Sequence, residues 1–493
     1  MILSILNNSF NYELEKLCRI FFPFEKIEVT DKRTDEPYQA VAELVDCDTE
    51  ILLKAYLRLG DTEVSRERKV LKTEKELESA SELALATALF DCFNALTGYR
   101  SPWGVLTGVR PAKLYSRLCA SLGEAGAEQY FKDKLLVTDK KISLCQKTHV
   151  SEEKIISLSK PQSFSLYIAI PFCPSRCSYC SFVSHSVEHA KKLIPQYVEL
   201  LCEEIRETAR YAKENGLLLE TVYMGGGTPT TLSASQLTQV LNTVRESFDT
   251  ANLRELTVEA GRPDTVTEEK LKALYDAGVT RISINPQTMN DDVLAAIGRR
   301  HTAEETKEAF RLARKYGFDN INMDLIAGLP SDTLESFAHT LEEVLELDPE
   351  SVTVHSLSMK RAANLSTGGI LPELDAGKTA AEMVDLARDR LTEKGINEYY
   401  MYRQSKTVGN LENVGYAKNG YECLYNVYIM DETHTILACG ASAVTKLKEP
   451  NGAFIERTFN FKYPYEYITR FGEIIERKER IKTFYETYRI ANQ

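Results

Sequence analysis

Three cysteines, Cys173, Cys177 and Cys180, stand at a CxxxCxxC spacing just after a short apolar run at residues 166–170. Three thiolates on one tight loop suit a cubane of four irons and four sulfides. Each thiolate holds one iron, and the fourth iron keeps an open position. Four cysteines would close the cluster and restrict it to electron transfer. A structural zinc site would also take four ligands. The spacing therefore points to radical chemistry with S-adenosylmethionine (SAM), bound at the open iron.

Further along, Gly225-Gly226-Gly227-Thr228-Pro229 follows a second apolar run. Glycines at such a place let backbone groups meet a ligand with no Cβ in the way. The expected ligand group is the amino end of the methionine moiety; a tight turn between strand and helix is the structural alternative. Glu259 ends a third run, where a carboxylate can hold an amine or hydroxyl. Gln287, Arg299 and Asp324 follow later runs or loops. Singly they suit a solvated face or a cap, and as a set a second polar ligand. Tyr167 and Tyr179 flank the cysteines, where a ring can shield a cluster, stack an adenine or simply pack.

The elements that must position these residues show in the pattern. Residues 164 to about 370 repeat a strand-then-helix rhythm. Strands are expected at 166–170, 221–224, 256–260, 281–285, 320–326 and 351–357, with helical stretches at 191–215, 233–247, 268–277, 303–316 and 334–347. Six such units, each link holding a helix, predict parallel strands. The fold class is α/β: a partial (β/α)6 TIM-like barrel over residues 161–370, with function at the C-terminal ends of its strands. An N-terminal α+β domain, 1–160, precedes it, and a C-terminal α+β domain, 371–493, follows. In the former, 41–45 and 51–57 read as paired strands around Asp46-Cys47-Asp48, and 79–96 as a helix. In the latter, 380–395 reads as a helix, 425–430 as a strand, 438–443 as a small-residue loop and 463–490 as a charged helical tail.

Composition bounds the function classes. The chain has 493 residues, 43% hydrophobic and 27% charged. No run approaches the roughly 18 apolar residues of a membrane helix, so no membrane span is expected. The first residues lack the basic start of a signal peptide. Eleven cysteines, an odd number with three clustered, do not form a secreted disulfide framework. A reducing cytoplasm is the expected location. A net charge of −12 weighs against a nucleic-acid partner, which needs a concentrated basic face.

Together these motifs resemble the radical SAM superfamily and, within it, the oxygen-independent coproporphyrinogen III oxidase family. The resemblance covers about residues 164–445. Its marks are residues 167–180, 225–229 and 258–260, the segment from Gln287 through Gly298-Arg299-Arg300-His301-Thr302, and residues 322–330. The long N-terminal region and Val258-Glu259-Ala260-Gly261-Arg262-Pro263-Asp264 are most like the coproporphyrinogen dehydrogenase branch. The resemblance implies that Cys173, Cys177 and Cys180 bind a [4Fe-4S] cluster. It implies that Tyr167, Gly226 and Glu259 hold a SAM, and that Tyr179, Gly227, Thr228, Gln287, Arg299 and Asp324 match positions associated with a second. Ser358 falls where a small residue lines the site. It also implies a reducing donor such as flavodoxin or ferredoxin, and a radical that takes a hydrogen from a porphyrinogen propionate, leaving a vinyl group after loss of carbon dioxide and an electron.

Two departures stand out. Members with CxxxCxxCxC carry a fourth cysteine where this chain has Phe182, and relatives with phenylalanine there include a heme chaperone and heme-modifying enzymes. In Ser283-Ile284-Asn285-Pro286-Gln287 a glycine is usual two residues before the glutamine. The expected activity is oxidative decarboxylation of coproporphyrinogen III to protoporphyrinogen IX; the alternative is a heme chaperone or another heme-modifying radical protein.

Overall fold

The computed structural model describes residues 1–23, 25–180, 185–358, 370–404 and 407–490. The chain divides into two compact units. One comprises Met1–His149, Ser356–Asp385 and Met401–Asn413, the other Val150–His355, Leu386–Tyr400 and Val414–Gln493.

The first unit opens with β1 (Ile2–Leu6), α1 (Asn11–Phe21), β2 (Glu28–Thr30), β3 (Tyr38–Asp46), β4 (Glu50–Leu59) and β5 (Thr62–Leu71). Helices α2 (Leu77–Thr97), α3 (Pro111–Gln129) and α4 (Asp139–Ile156) follow. Its sheet runs β2-β1-β3-β4-β5, with β1 parallel to both neighbours and β3, β4 and β5 antiparallel. The expected hairpin at Asp46-Cys47-Asp48 is present, closed by the Cys47 amide on the Glu50 carbonyl at 3.0 Å. Alternation along β4 buries Ile51, Leu53, Ala55 and Leu57, as period-2 geometry requires. Beside them Phe21 stacks on Phe93 with centroids 4.4 Å apart. A buried carboxylate, Glu412, is kept because both its oxygens are bonded: Trp103 Nε1 and Lys141 Nζ each donate at 2.6 Å.

From Ser163 the chain forms β6 (Ser163–Ile170), β7 (Phe172–Cys173), β8 (His185–Ser186), α5 (Val187–Ala190), α6 (Ile194–Glu214), β9 (Leu218–Gly226), α7 (Ala234–Ser247), β10 (Glu255–Glu259) and α8 (Glu268–Asp276). Next come β11 (Arg281–Ser283), α9 (Asp291–Ala296), α10 (Ala303–Lys315), β12 (Ile321–Ala327), α11 (Leu334–Glu346), β13 (Ser351–Ser356), α12 (Ile370–Glu393), β14 (Asn397–Arg403) and β15 (Glu412–Ala417). The last elements are α13 (Leu424–Asp431), β16 (Thr435–Cys439), β17 (Val444–Lys448), β18 (Ile455–Phe459), α14 (Pro464–Thr469) and α15 (Phe471–Ile490). Among the described residues the large sheet runs β14-β15-β13-β12-β11-β10-β9-β6-β16-β17-β18. Strands β6, β9, β10, β11 and β12 pair in parallel, as the strand–helix rhythm predicts. No helix among the described residues is long and apolar enough to cross a membrane.

Register sorts the side chains of the parallel strands into alternating rows. Ile168, Met224, Val258, Ile282 and Ile321 are successive register partners, and all are fully buried. One residue earlier, Tyr167, Tyr223, Thr257 and Arg281 form the next row. One residue later, Glu259, Ser283 and Asn322 form another. Because Cβ direction alternates along a strand, the two polar rows share one face.

The segment 425–430, expected as a strand, is a helix. A six-residue apolar run carries no period that separates the two, and the decision is made at long range. Glu255, at the foot of β10, accepts from the Leu424 and Tyr425 amides at 2.7 and 3.4 Å and from the Cys423 thiol at 3.4 Å. A carboxylate on free N–H groups at a helix start stabilises that helix. The small-residue loop is shorter than expected: Ala438 and Cys439 end β16, which pairs in parallel with β6.

A buried ion network ties α15 to α6. Glu204 accepts from Lys478 Nζ at 2.8 Å and from Tyr467 Oη, the Gly440 amide and Asn460 Nδ2 at 2.7 Å each. Replacing one partner strands the other charge, at a cost of about 3–5 kcal/mol. Lys478→Met is therefore expected to lose about that much in urea unfolding, and the double variant Glu204→Gln/Lys478→Met to recover part of it.

Candidate functional site

The cysteine loop begins where β6 ends, and the glycine run is built to meet it. The Gly227 amide donates to the Ile170 carbonyl at 2.7 Å, and the Thr228 amide to the Phe172 carbonyl at 2.8 Å. A Cβ on Gly227 would stand 2.6 Å from the Phe172 carbonyl oxygen and 2.8 Å from that of Ile170, so only glycine allows this approach. Gly226 has φ +106°, a conformation glycine adopts without strain. Thr228 Oγ1 points at Cys173 Sγ, 3.6 Å away. None of Cys173, Cys177 and Cys180 is in a disulfide; Cys177 is buried and the others half-buried. The Cys180 amide donates to the Cys177 carbonyl at 3.2 Å, which turns the loop tightly between them.

Glu259 stands at the end of β10, on the same face as Tyr167 and Tyr223. Tyr223 donates to Glu259 Oε1 at 2.5 Å. A Cβ on Gly225 would lie 2.9 Å from the Glu259 carboxylate, so this glycine makes room for the acid. Burial pushes the Glu259 carboxyl up to about 7; the Tyr223 hydrogen bond opposes the rise, and the neighbouring Asp324 charge adds to it. The rings of Tyr167, Tyr223 and Tyr425 lie nearly parallel, the last two 4.6 Å apart. Tyr425 arrives from α13, the helix capped by Glu255.

On the far side, the buried Arg299 donates to Tyr179 Oη at 2.9 Å and to the Gly261 carbonyl at 3.1 Å. Gln287 adopts φ +69°, and its amide donates to the Asp324 carbonyl at 2.9 Å. The Asp324 carboxylate is held by its neighbours: Asn285 Nδ2 and Asn322 Nδ2 donate at 2.7 Å, and His355 Nε2 lies 3.8 Å away. Burial would raise Asp324, but His355 and Asn322 together hold it below the usual carboxylate range.

The structure thus gathers Tyr167, the three cysteines, Tyr179, Gly226, Gly227, Thr228, Glu259, Gln287, Arg299 and Asp324 around the strand ends of one unit. Ser358 is placed in the other unit, as an isolated bridge partner of Thr407. Phe182 lies outside the described residues. Sequence reasoning missed Tyr223, Asn285, His355, Tyr425 and Arg262. Tyr223 had a signal, since it stands two residues before Gly225 on a strand whose alternate positions face inward. Tyr425 had none while its segment read as a strand.

Comparison with known proteins places this arrangement. The profile of the radical SAM superfamily matches residues 167–344. The oxygen-independent coproporphyrinogen-III oxidase-like protein HemZ of Bacillus subtilis is 38% identical over 82% of this chain and 82% of its own length. The chain belongs to the coproporphyrinogen III oxidase-like family of the radical SAM superfamily. The heme chaperone HemW of Bacillus subtilis is 35% identical over 56% of this chain and 70% of its own. The fold also matches the solved coproporphyrinogen III oxidase HemN of Escherichia coli, with a TM-score of 0.51 and 23% identity over 66% of this chain and 72% of that one.

The cofactors of this radical SAM protein are a [4Fe-4S] cluster and SAM. The donor set fits them. Three cysteines on one loop, none of them in a disulfide, suit a cluster that takes one thiolate per iron. The glycine-lined backbone beside the loop and the half-buried Glu259 suit the amino-acid end of SAM.

One property of this site is measurable without cofactors. A carboxyl-carbon NMR titration is expected to show Glu259 ionising near pH 7, and Tyr223→Phe to move that midpoint upward. The raised value means the native state holds a proton that the unfolded chain releases, so this group's stabilisation is full at low pH. It fades as pH rises through about 7, and Glu259→Gln is expected to abolish that fade.

Proposed function

We propose that this protein carries out radical SAM oxidative decarboxylation of coproporphyrinogen III propionates to vinyl groups. The supporting observation is the extent of the match: the oxidase-like relative aligns over 82% of both chains, the N-terminal region included in part. When bound and reduced, cluster and SAM supply a 5′-deoxyadenosyl radical, and the protein's part is to bind, orient and exclude water. Cys173, Cys177 and Cys180 hold the cluster. The backbone of Gly226 and the carboxylate of Glu259 take the amino end of SAM, and Tyr167 packs beside them. Tyr179, Gly227, Thr228, Gln287, Arg299 and Asp324 face the second polar ligand. Each propionate loses one hydrogen atom to the radical, then carbon dioxide and one electron. That electron leaves to an acceptor, and a separate electron, the one that cleavage of SAM consumes, comes from a reducing donor of the flavodoxin or ferredoxin class.

A second reading is a heme chaperone. It is favoured by the matches to HemW proteins at 31–35% identity and by Phe182 at the fourth cysteine position. Anaerobic reconstitution with SAM, dithionite and carboxyl-labelled coproporphyrinogen III separates the two. The proposal expects labelled carbon dioxide and a vinyl product, both reduced to the no-SAM level in Cys177→Ser. Stoichiometric heme binding by a cluster-loaded protein that releases no label would favour the chaperone. The ionised Glu259 is the stronger acceptor for the amino end of SAM, so SAM affinity is expected to rise with pH through about 7. Losing that charge-assisted bond in Glu259→Gln is worth about 1.5–3 kcal/mol, a rise in Kd of about 10- to 150-fold.

A further inference from the structure

Arg262 sits in Gly261-Arg262-Pro263, just past the end of β10, and its side chain is 4% exposed. A guanidinium so deeply buried must be paired and bonded. Nε and Nη2 each donate to a carboxylate oxygen of Asp264 at 3.0 Å. Nη1 turns the other way, into the cysteine loop. It donates to Ser175 Oγ at 3.1 Å and to the Ser175 carbonyl at 3.4 Å, and it reaches Cys177 Sγ at 3.9 Å. Ser175 Oγ in turn donates to the Gly298 carbonyl at 3.2 Å. One buried cation therefore spans the gap between β10 and the loop and stands against the central cysteine.

The other groups around it do not duplicate this contact. Arg299 bonds Tyr179 and faces Cys177 from that side. His301 is buried behind both arginines; burial and then the charges of Arg299 and Arg262 push it down to about 4, so it adds no positive charge at neutral pH.

We propose that Arg262 is a positioning residue that raises the reduction potential of the iron–sulfur cluster through the Cys177 sulfur, with Asp264 opposing it. The inference rests on the reading of Cys177 as a cluster ligand. Reduction adds one electron and no atoms to the cluster. A positive charge and an N–H donor beside a ligand sulfur stabilise that added charge, and hydrogen bonds to sulfur and local charge are known levers on cluster potentials. The Asp264 carboxylate cancels part of the arginine charge, so the two residues act with opposite signs.

The test is an anaerobic redox titration of the reconstituted full-length protein with dithionite and mediators, read by the paramagnetic resonance signal of the reduced cluster. Iron content is measured alongside. Arg262→Gln is expected to lower the ratio of reduced to oxidised cluster at a fixed potential about tenfold, which is about 59 mV for a one-electron couple. Arg262→Lys keeps the charge and is expected to restore most of that loss. Asp264→Asn is expected to move the ratio upward. An Arg262→Gln protein with full iron and the parent potential overturns the proposal, as does a shift of Asp264→Asn in the same direction. Should Arg262→Gln fail to load iron, Asp264→Asn decides: an unchanged potential there overturns the proposal. Parent protein that shows no cluster signal overturns the cysteine reading and this one with it, whereas a normal parent signal isolates the arginine.

Discussion

Strand register is the constraint on which this site depends. In β6, β9, β10, β11 and β12 successive residues face opposite ways, and the parallel pairing holds them in rows. A slip of one residue in any pair would turn its inward set outward. Ile168, Met224, Val258, Ile282 and Ile321 would then lie where Tyr167, Tyr223, Thr257 and Arg281 now lie. The apolar row resists this, because each of its members is fully buried and exposing one costs about 1.5–3 kcal/mol. Hydrophobic burial on one face thus fixes the positions of polar groups on the other.

A polar interior is stable only when its members satisfy one another. This barrel does so locally. Tyr223 serves Glu259; Asn285 and Asn322 serve Asp324; Ser351 and Thr353 donate to the Asn322 side-chain oxygen. Asn285 stands where the family resemblance would place a glycine. Its side chain spans from the space above Gly261 to Asp324, so the departure brings its own bonding partner. Proline before Gln287 does not keep that residue from its strand: Gln287 bridges to Leu325 in parallel fashion despite its positive φ.

Much of this was legible in the sequence. The strand–helix rhythm, the parallel pairing and the cysteine loop after the first strand follow from periodicity and spacing that each short segment carries within itself. Strand β11 proved shorter than expected, ending at Ser283, whereas β6 proved longer and extends back through Ser163 and Ser165. Those serines were invisible as strand residues because their partners lie far along the chain: Ser165 bonds His434 and Thr221. The same holds for α13, whose helical state depends on Glu255, and for Arg262, which reads as one charge in a turn until Asp264 and Ser175 are seen around it. Local pattern reveals elements; it does not reveal which distant side chain completes them.

The pairing of β16 with β6 bears on the order of assembly. During synthesis β6 emerges early and acquires β9 on one side soon afterwards. Its other edge stays open until Thr435–Cys439 has been made. At ordinary elongation rates that interval is roughly 10–50 s. The loop that follows β6 therefore spends that interval beside a strand paired on one edge only. The loop is fully flanked only once residues 435–439 have been made, and a ribosome stalled before residue 435 would leave a nascent barrel with a raw edge next to its cysteine loop.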